Sequence, residues 1–405
     1  MRHGAVPGED RLDWSGLAQS PDGAPAIQLR WCSEADIPAV MRFIHQHWRA
    51  EHILSRDETL LRWQYHPVRM RTEPLNGLSV MLAVLNDRIC GMLGLIPFDF
   101  NFHGTISRGS WLSHWICVPE LRPYNVGRAL VWRVLKLKYD ALLAMGLSQA
   151  GERATAALGF KRISPIPRWV GVFDAEGSQQ LLEALAPFAD SRELARALLP
   201  YIVGRPSPAR GQGSIRIAPW VDSLRGSWDR FWARSLAPCL VGTARDSSYL
   251  LWRYVRHPRF RYEIFVAQAA DTDEVLGLSV FRVENVQGHR ARIMRIVEFL
   301  ALRPADSALA AALVQAAREQ EVTFADFFCT RLEMGAGLEA VGFRRHAEDD
   351  RALPLPRHLQ PPQLVGSPLS AVELLSRDLR QRLGSLADRS DVYITKSDGD
   401  QDRPN

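Results

Sequence analysis

The 405-residue sequence predicts a mixed α/β protein with mixed sheets, built as two tandem copies of one unit, the second degenerate. Three observations carry this expectation. From Ile27 the pattern reads strand, helices, antiparallel strands, then a strand running directly into a helix, which is not a plain βαβ repeat. The pattern R-D-x-x-x-L-x-W-x-Y occurs twice, from Arg56-Asp57 through Leu61, Trp63 and Tyr65, and from Arg245-Asp246 through Leu250, Trp252 and Tyr254, each followed by a His-Pro pair. Further on, Ala157-Leu158-Gly159-Phe160-Lys161-Arg162 is echoed by Ala340-Val341-Gly342-Phe343-Arg344-Arg345. Two matches in the same order, near the two ends of one long unit, mark a duplicated domain.

The elements of the first copy follow from local pattern. Residues 27–32 (IQLRWC) read as a short strand, and Ser33 caps a helix that places Ile37, Val40, Met41, Ile44 and Trp48 on one face. A second short helix follows Asp57. The apolar runs 78–85 and 88–98 are strands joined by Asn86-Asp87, a tight hairpin turn. Residues 110–118 form a further strand, leading through PELRPYNVGR into a helix packed by Leu130, Val131, Val134, Leu135 and Leu142. Residues 176–203 read as helices, and 369–386 as one amphipathic helix. The expected organisation is a loose, disordered arm over 1–26, a first domain over 27–173, and a helical connector and linker over 174–214. A second domain covers 215–350, and a Pro-rich segment, helix and terminal strand and tail cover 351–405.

Composition narrows the function. An apolar share of 46% with 23% charged residues fits folded domains rather than a disordered chain. The net charge of +5, from 50 basic against 45 acidic residues, suits a phosphate-bearing small molecule and gives no support to a nucleic-acid partner. The five cysteines form no CxxC pair, so neither a metal site nor a disulfide framework is expected. With no apolar leader and no apolar stretch of about 18 residues, neither a signal peptide nor a membrane span is expected, and the location is read as cytoplasmic.

The sharpest local signal is 118–130, VPELRPYNVGRAL. A strand stops at Val118, a loop crosses Arg122 to Gly127, and a helix begins at once. The first amides of such a helix lack intrahelical partners and its dipole favours negative charge. A small residue at 127 admits a pyrophosphate close to the backbone, and Arg128 adds a cation. The bland alternative is a glycine that only makes a turn.

The segment R-x-x-x-x-G-R-A-L after a V-x-P-E strand end resembles the coenzyme-A pyrophosphate loop of the GNAT acetyltransferases. The A-x-L-G-F segment resembles that family's closing motif. The resemblance covers roughly 27–173 and implies a fold of that family, with acetyl-CoA as acyl donor and no metal. It implies that Val118 stands beside the thioester and that Arg122, Asn125, Val126, Gly127, Arg128 and Ala129 hold the pyrophosphate. Asn125 replaces the usual first loop glycine, and Pro123 removes an amide donor. Thr155 falls where many members carry a tyrosine, and Gly151 where many carry an asparagine, so the leaving thiolate is expected to be protonated by water. In the second copy, Arg303-Pro304-Ala305-Asp306 offers no glycine, and Asp306 would repel a phosphate, so that copy is expected not to hold coenzyme A.

Candidate catalytic residues are His114, Glu120 and Glu298. Period-two alternation puts Ser110, Leu112, His114, Ile116 and Val118 on one face, which would aim His114 at the acyl group as a general base. The alternative is a packed or surface histidine. Glu120 lies past the strand end, where a loop-fixing role competes. Glu298, on the matching strand of the second copy, competes with a salt bridge to Arg295 or Arg292. Trp63, Tyr65, Trp252 and Tyr254 are expected in the core rather than stacked on a sugar. The tail 397–404 reads either as solvated or as a carboxylate pair, Asp398 and Asp400, that attracts an amine.

The function these readings imply is N-acetyl transfer to a small-molecule primary amine, with an amino sugar in surface-polysaccharide synthesis suggested by resemblance to tandem bacterial members. The alternatives are acyl or aminoacyl transfer, as in the two-lobed peptidoglycan-bridge transferases, and non-catalytic binding of acyl-CoA.

Overall fold

The computed structural model describes residues 26–66, 75–163, 165–187, 190–204 and 214–402. The expected arm (1–26) and linker (204–214) lie outside the described residues apart from their end positions, as does Pro67 of the first His-Pro pair.

In the first half, the strands are β1 (Gln28–Trp31), β2 (Val80–Leu85), β3 (Arg88–Phe102), β4 (Thr105–Cys117), β5 (Ala141–Met145), β6 (Lys161–Ile163) and β7 (Arg168–Val172). Among them lie helices α1 (Ile37–His47), α2 (Ile53–Arg56), α3 (Glu58–Gln64), α4 (Val126–Leu135) and α5 (Gln149–Ala157), and α6 (Ala175–Leu185) and α7 (Ser191–Leu198) follow. The second half opens with β8 (Ile215–Pro219), α8 (Arg225–Phe231), β9 (Val241–Thr243) and α9 (Ser247–Leu250). It continues with β10 (Glu263–Ala269), β11 (Val275–Asn285), β12 (Arg292–Ala301), α10 (Ala305–Glu319), β13 (Phe324–Phe328), α11 (Ala336–Ala340) and β14 (Arg344–His346). A ribbon of β15 (His358–Leu359) and β16 (Pro362–Gln363) precedes β17 (Ala371–Leu375), α12 (Arg377–Leu383) and β18 (Val392–Tyr393).

Local chemistry explains the starts of these elements. Ser33 and Asp36 form a capping box ahead of α1, and Pro38 stands near that helix's start. Asp57 caps α3 by accepting from the Leu60 amide, and Asp246 caps α9 by accepting from the Tyr249 amide, so the repeated Arg-Asp pair marks the same helix start twice. Asn86 and Asp87 both take positive φ, 48° and 60°, in the expected β2–β3 hairpin.

The two main sheets share one strand order. The first runs β1-β2-β3-β4-β5-β17-β6, and the second β8-β10-β11-β12-β13-β7-β14. In each, the fourth and fifth strands are parallel and the other neighbours antiparallel. The sixth place is exchanged. β17, from the end of the chain, sits between β5 and β6, and β7, from the first half, sits between β13 and β14. Residues 371–375 were expected inside a helix. They form a strand because Ala371, Val372 and Leu375 are buried and the segment finds a ladder on both sides, which overrides a helix-like spacing of leucines. β9 extends the first sheet along the far end of β3, and β18 pairs with β9.

On the first sheet, α4 packs where Leu130 meets Gly91, and α3 delivers Tyr65 to the opposite face, against Gly94. A Cβ at Gly94 would overlap the Tyr65 ring, so the glycine there serves close approach. Among the described residues, no helix is long and apolar enough to cross a membrane.

Candidate active site

The site is built where β4 and β5 part. Their parallel ladder ends at Leu112↔Ala144, yet β4 continues to Cys117 and β5 to Met145. Beyond that point a cleft of about 450 Å³ opens. It is lined from α1 by His47 and Trp48, from β4 by Trp115, Ile116 and Cys117, from the loop and α4 by Arg122, Asn125, Gly127 and Arg128, and from α5 by Ser148, Ala150, Gly151 and Ala154.

The loop has the form that an anion site needs. Pro119–Tyr124 is a 3-10 turn, and Asn125 closes it at φ 59° and ψ 23°, the left-handed conformation that asparagine tolerates. Asn125 makes no side-chain cap, and the Ala129 amide is the one that reaches back to the Asn125 carbonyl. The amides of Val126, Gly127 and Arg128 precede any intrahelical bond at the positive end of the α4 dipole. The Arg122 and Arg128 side chains are exposed beside them. Gly127 has a second reason to be small. Trp115 Nε1 donates to the Gly127 carbonyl at 2.9 Å, and a Cβ at Gly127 would stand 3.1 Å from that nitrogen. Burial pushes the Cys117 thiol up, with Arg122 and the Gly127 amide opposing, and burial pushes the His47 imidazole down, with Glu120 opposing.

His114 is placed by a bulge. The β3–β4 ladder pairs Gly94 with Ser113 but Met92 with Ile116, so β4 carries one extra residue at His114-Trp115, and His114 takes φ 45°. The expected single face is therefore broken. Ser110 and Leu112 lie on one side of the sheet, Ile116 on the other. Tyr65 locates His114 on the Ser113 side, its hydroxyl lying 2.8 Å from Ser113 Oγ and 2.5 Å from His114 Nδ1. His114 is 5% exposed and meets the edge of Trp48, which lines the cleft while His114 itself does not. His114 Nε2 is 3.5 Å from His52 Nε2, and its Nδ1 is 3.6 Å from Asp400 Oδ2.

The other expected residues are distributed as follows. Arg122, Asn125, Gly127 and Arg128 line the cleft together. Val118 and Val126 are buried and Ala129 is half-buried, contributing backbone at the strand end and first helical turn. Glu120 is exposed on the turn and does not line the cleft, although its charge acts on His47, which does. Thr155 is 1% exposed, and its hydroxyl donates to the carbonyls of Gly151 and Glu152. Glu298 lies outside the cleft, fully buried at the junction of the sheets, where it accepts from Arg245, Tyr254, Tyr393 and Ser397. Its salt-bridge partner is Arg245 rather than Arg295 or Arg292. Arg295 instead faces Glu284 and Asp326, and Arg292 donates to the Gln320 carbonyl. Burial pushes Glu298 up, and Arg245 and the two tyrosine hydroxyls oppose this.

His114 and Glu298 occupy matching positions. Each stands two residues past the end of its parallel ladder, Leu112↔Ala144 and Ile296↔Phe327, at a bulge opposite the third strand of its sheet. Each receives a tyrosine from the repeated motif, Tyr65 or Tyr254. The openings nevertheless differ. In the second sheet the terminal segment fills the gap, since Tyr393 Oη accepts from the Phe299 amide of β12 and Thr395 bridges to Cys329 just past β13. There α11 also covers the α10 start, where a Cβ at Gly337 would come within 2.8 Å of the Asp306 carbonyl. Asp306 Oδ1 accepts from the Ser307 amide at 2.8 Å and so occupies the α10 start itself.

Residues 397–402 of the tail are buried or half-buried, which excludes the solvated reading for them, and the tail's last two positions lie outside the described residues. Asp398 is 1% exposed and ion-paired with Arg245, and Asp402 is 2% exposed and paired with Arg282. Sequence reasoning missed His47 and Trp48, which end the apolar stripe of α1, and the α5 start, whose signal was Ser148 as a helix cap. It also missed His52, whose only signal was a position two residues before a short apolar run.

No family model matches this sequence, and no curated protein matches it. Solved structures do. A GCN5-related N-acetyltransferase from Anabaena variabilis is similar at a TM-score of 0.54 and 10% identity, covering 86% of this chain and 72% of that one. A GCN5-related N-acetyltransferase from Kribbella flavida is similar at 0.52 and 12%, covering 86% and 71%. A conserved Enterococcus faecalis protein described as a probable N-acyltransferase is similar at 0.51 and 10%, covering 85% and 72%. Matches over this share of the chain take in both sheets.

Proposed function

We propose that the chain, whose fold is that of the GCN5-related N-acetyltransferase structures, mixed α/β with two sheet bodies, is an acetyl-CoA-dependent N-acetyltransferase acting on a small-molecule primary amine, with one acyl-donor site, in the first sheet. The observation that carries this reading is the open β4–β5 gap with the α4 start, Arg122 and Arg128 at its mouth, set against the second sheet, where the terminal segment takes the matching place. Val126, Gly127 and Arg128 would offer amides to the pyrophosphate, and the two arginines would add charge. The amine attacks the thioester carbonyl, the new C–N bond forms as the C–S bond breaks, and the amine's proton passes to a base. His114 is that base in this reading, reached past Trp48. With the Thr155 hydroxyl committed to backbone carbonyls, the thiolate takes its proton from water. An amino sugar is the first acceptor class to test, and a reducing, cytoplasmic location suits the free thiols of Cys32, Cys90 and Cys329.

The test is thermal stabilisation with acetyl-CoA, followed by thiol release with panels of amino sugars and other amines. A site that binds at a hundredfold excess over Kd raises stability by about 2.7 kcal/mol. Absence of any shift at millimolar acetyl-CoA would remove the reading in favour of a protein that keeps the fold without the ligand.

A further inference from the structure

The segment that follows β18 runs between the two sheets as a series of alternating anchors. Asp398 is held by Arg245 at 2.6 Å, and Gly399 passes beneath the Trp111 ring of β4. The Gln401 side chain lies over Gly146 and donates to the Met145 carbonyl at the end of β5, and Asp402 pairs with Arg282. Between these anchors, Asp400 Oδ1 accepts from Gln401 Nε2 at 2.9 Å, and its Oδ2 faces His114 Nδ1 at 3.6 Å. This carboxylate arrives from the far end of the chain and is fixed on both sides.

The hydrogen bonds around His114 determine where its proton sits. His52 caps α2 by accepting the Leu54 amide at Nδ1, so neutral His52 carries its proton on Nε2. That N–H faces His114 Nε2, which therefore accepts, and the His114 proton is left on Nδ1. Nδ1 is the nitrogen that faces both the Tyr65 oxygen and the Asp400 carboxylate, and Tyr65 can pass its own proton to Ser113 Oγ. Among the described residues, the groups that face His114 include His52 from the α2 cap, Tyr65 from the end of α3 and Asp400 from the terminal segment, with the uncharged Trp48 at the end of α1.

We propose that Asp400 is a positioning residue for His114, its carboxylate 3.6 Å from Nδ1 reinforcing the tautomer whose Nδ1–H turns to the Tyr65 oxygen and favouring the imidazolium once a proton arrives. The inference rests on the reading of His114 as the base. The C-terminal segment then belongs to the reaction centre as well as to the junction. An aspartate on the outer nitrogen of a histidine fixes tautomer and raises basicity without itself taking the proton.

The test is imidazole NMR of the full chain labelled with nitrogen-15, the His114 signals assigned by comparison with His114→Gln. It needs neither acceptor nor turnover, so its outcome stands apart from whether acetyl transfer is observed. At high pH the wild-type signals should show the Nδ1–H tautomer. Asp400→Asn should lower the His114 titration midpoint by about one pH unit, and Asp400→Glu should restore part of it. A wild-type spectrum with the proton on Nε2 would overturn the proposal even if a variant failed to fold. An unchanged midpoint in a folded Asp400→Asn protein would overturn it equally.

Discussion

The rings of Trp63 and Trp252 stack with centroids 5.0 Å apart and 20° between their planes, and Trp63 Nε1 donates to the Trp252 carbonyl. These are the same position of the repeated motif, so the two halves of the chain meet through matching residues of that motif, and Arg253 lies over both rings. A stacked aromatic pair contributes about 0.5–1.5 kcal/mol beyond its buried area. Trp63→Ala and Trp252→Ala should each destabilise by about 3 kcal/mol. In a double-mutant cycle read by urea unfolding, the pair should couple by about 1 kcal/mol. Strict additivity would show that the contact carries no energy of its own.

Exchange of the sixth strand has a consequence for truncation. A fragment spanning 27–173 lacks β17, so the inner edge of β5 and the whole of β6 lose their partner, while β7 is left without its own sheet. An unpaired, buried strand edge invites aggregation. The fragment should be insoluble or lack the native far-ultraviolet spectrum, whereas the full chain folds. A soluble fragment that binds acetyl-CoA would contradict this.

Much of this was legible in sequence. The repeated Arg-Asp and Trp-x-Tyr pattern marks equivalent helix caps and packing residues because capping and stacking are local chemistry. The α4 loop is legible for the same reason, since Asn125, Gly127 and Arg128 act through backbone geometry and charge near one helix start. The destination of 371–375 was not, because nothing in AVELL records that a strand place stands empty across the molecule. The bulge at His114 escaped as well, since alternation counts residues and cannot register an extra one. Nor does the pairing of Asp398 with Arg245 and Asp402 with Arg282 leave any trace in the SDGDQD spacing.

Acetyl-CoA should bind once per chain. Gly127→Glu places bulk against Trp115 and a negative charge at the α4 start, and should abolish binding in calorimetry while the protein stays folded. Two molecules per chain would mean that the second sheet also offers a site, with the terminal segment displaced from between β12 and Cys329.

Buried histidines set an acid limit on stability. Burial drops His346 to about 3, with Arg168 adding to the drop and Asp326 opposing it, and burial drops His257 and His358 to about 2. In the unfolded chain these groups titrate near 6.5. Below that value the unfolded state holds protons that the native state refuses, so stability falls as pH falls, by up to about 1.4 kcal/mol per unit for each group. The loss from His346 should run from about pH 6.5 down to about 3. Unfolding free energy measured across pH should show this slope, and His346→Gln should flatten it by one group's share. An unchanged slope would mean that His346 is protonated in the folded protein.

His114 and Glu298 provide the sharpest contrast, because the same position in two matching sheets carries a histidine in one and a carboxylate in the other, and the proposed function gives them two tasks. Glu298 is enclosed by Arg245, Tyr254, Tyr393 and Ser397, and removing it strands a fully buried guanidinium. Breaking a buried pair in this way costs about 3–5 kcal/mol. Asp398, which also binds Arg245, should hold the loss towards the lower end. Glu298→Ala should therefore lower the unfolding free energy by about 3 kcal/mol, and leave acetyl-CoA affinity within a factor of two because the α4 loop is untouched. His114→Ala should do the reverse. It removes a ring beside Trp48 and the Tyr65 hydroxyl, while Asp400, which faces that ring, keeps its hydrogen bond from Gln401. General-base assistance is worth about a hundred- to ten-thousandfold in rate. With an acceptor in hand, His114→Ala should cut kcat by at least about a hundredfold, and leave acetyl-CoA binding intact. The pH–rate limb near neutrality should vanish with it. If instead His114→Ala keeps near wild-type turnover and that limb, the base lies elsewhere around the cleft, with His47 the next side chain to replace.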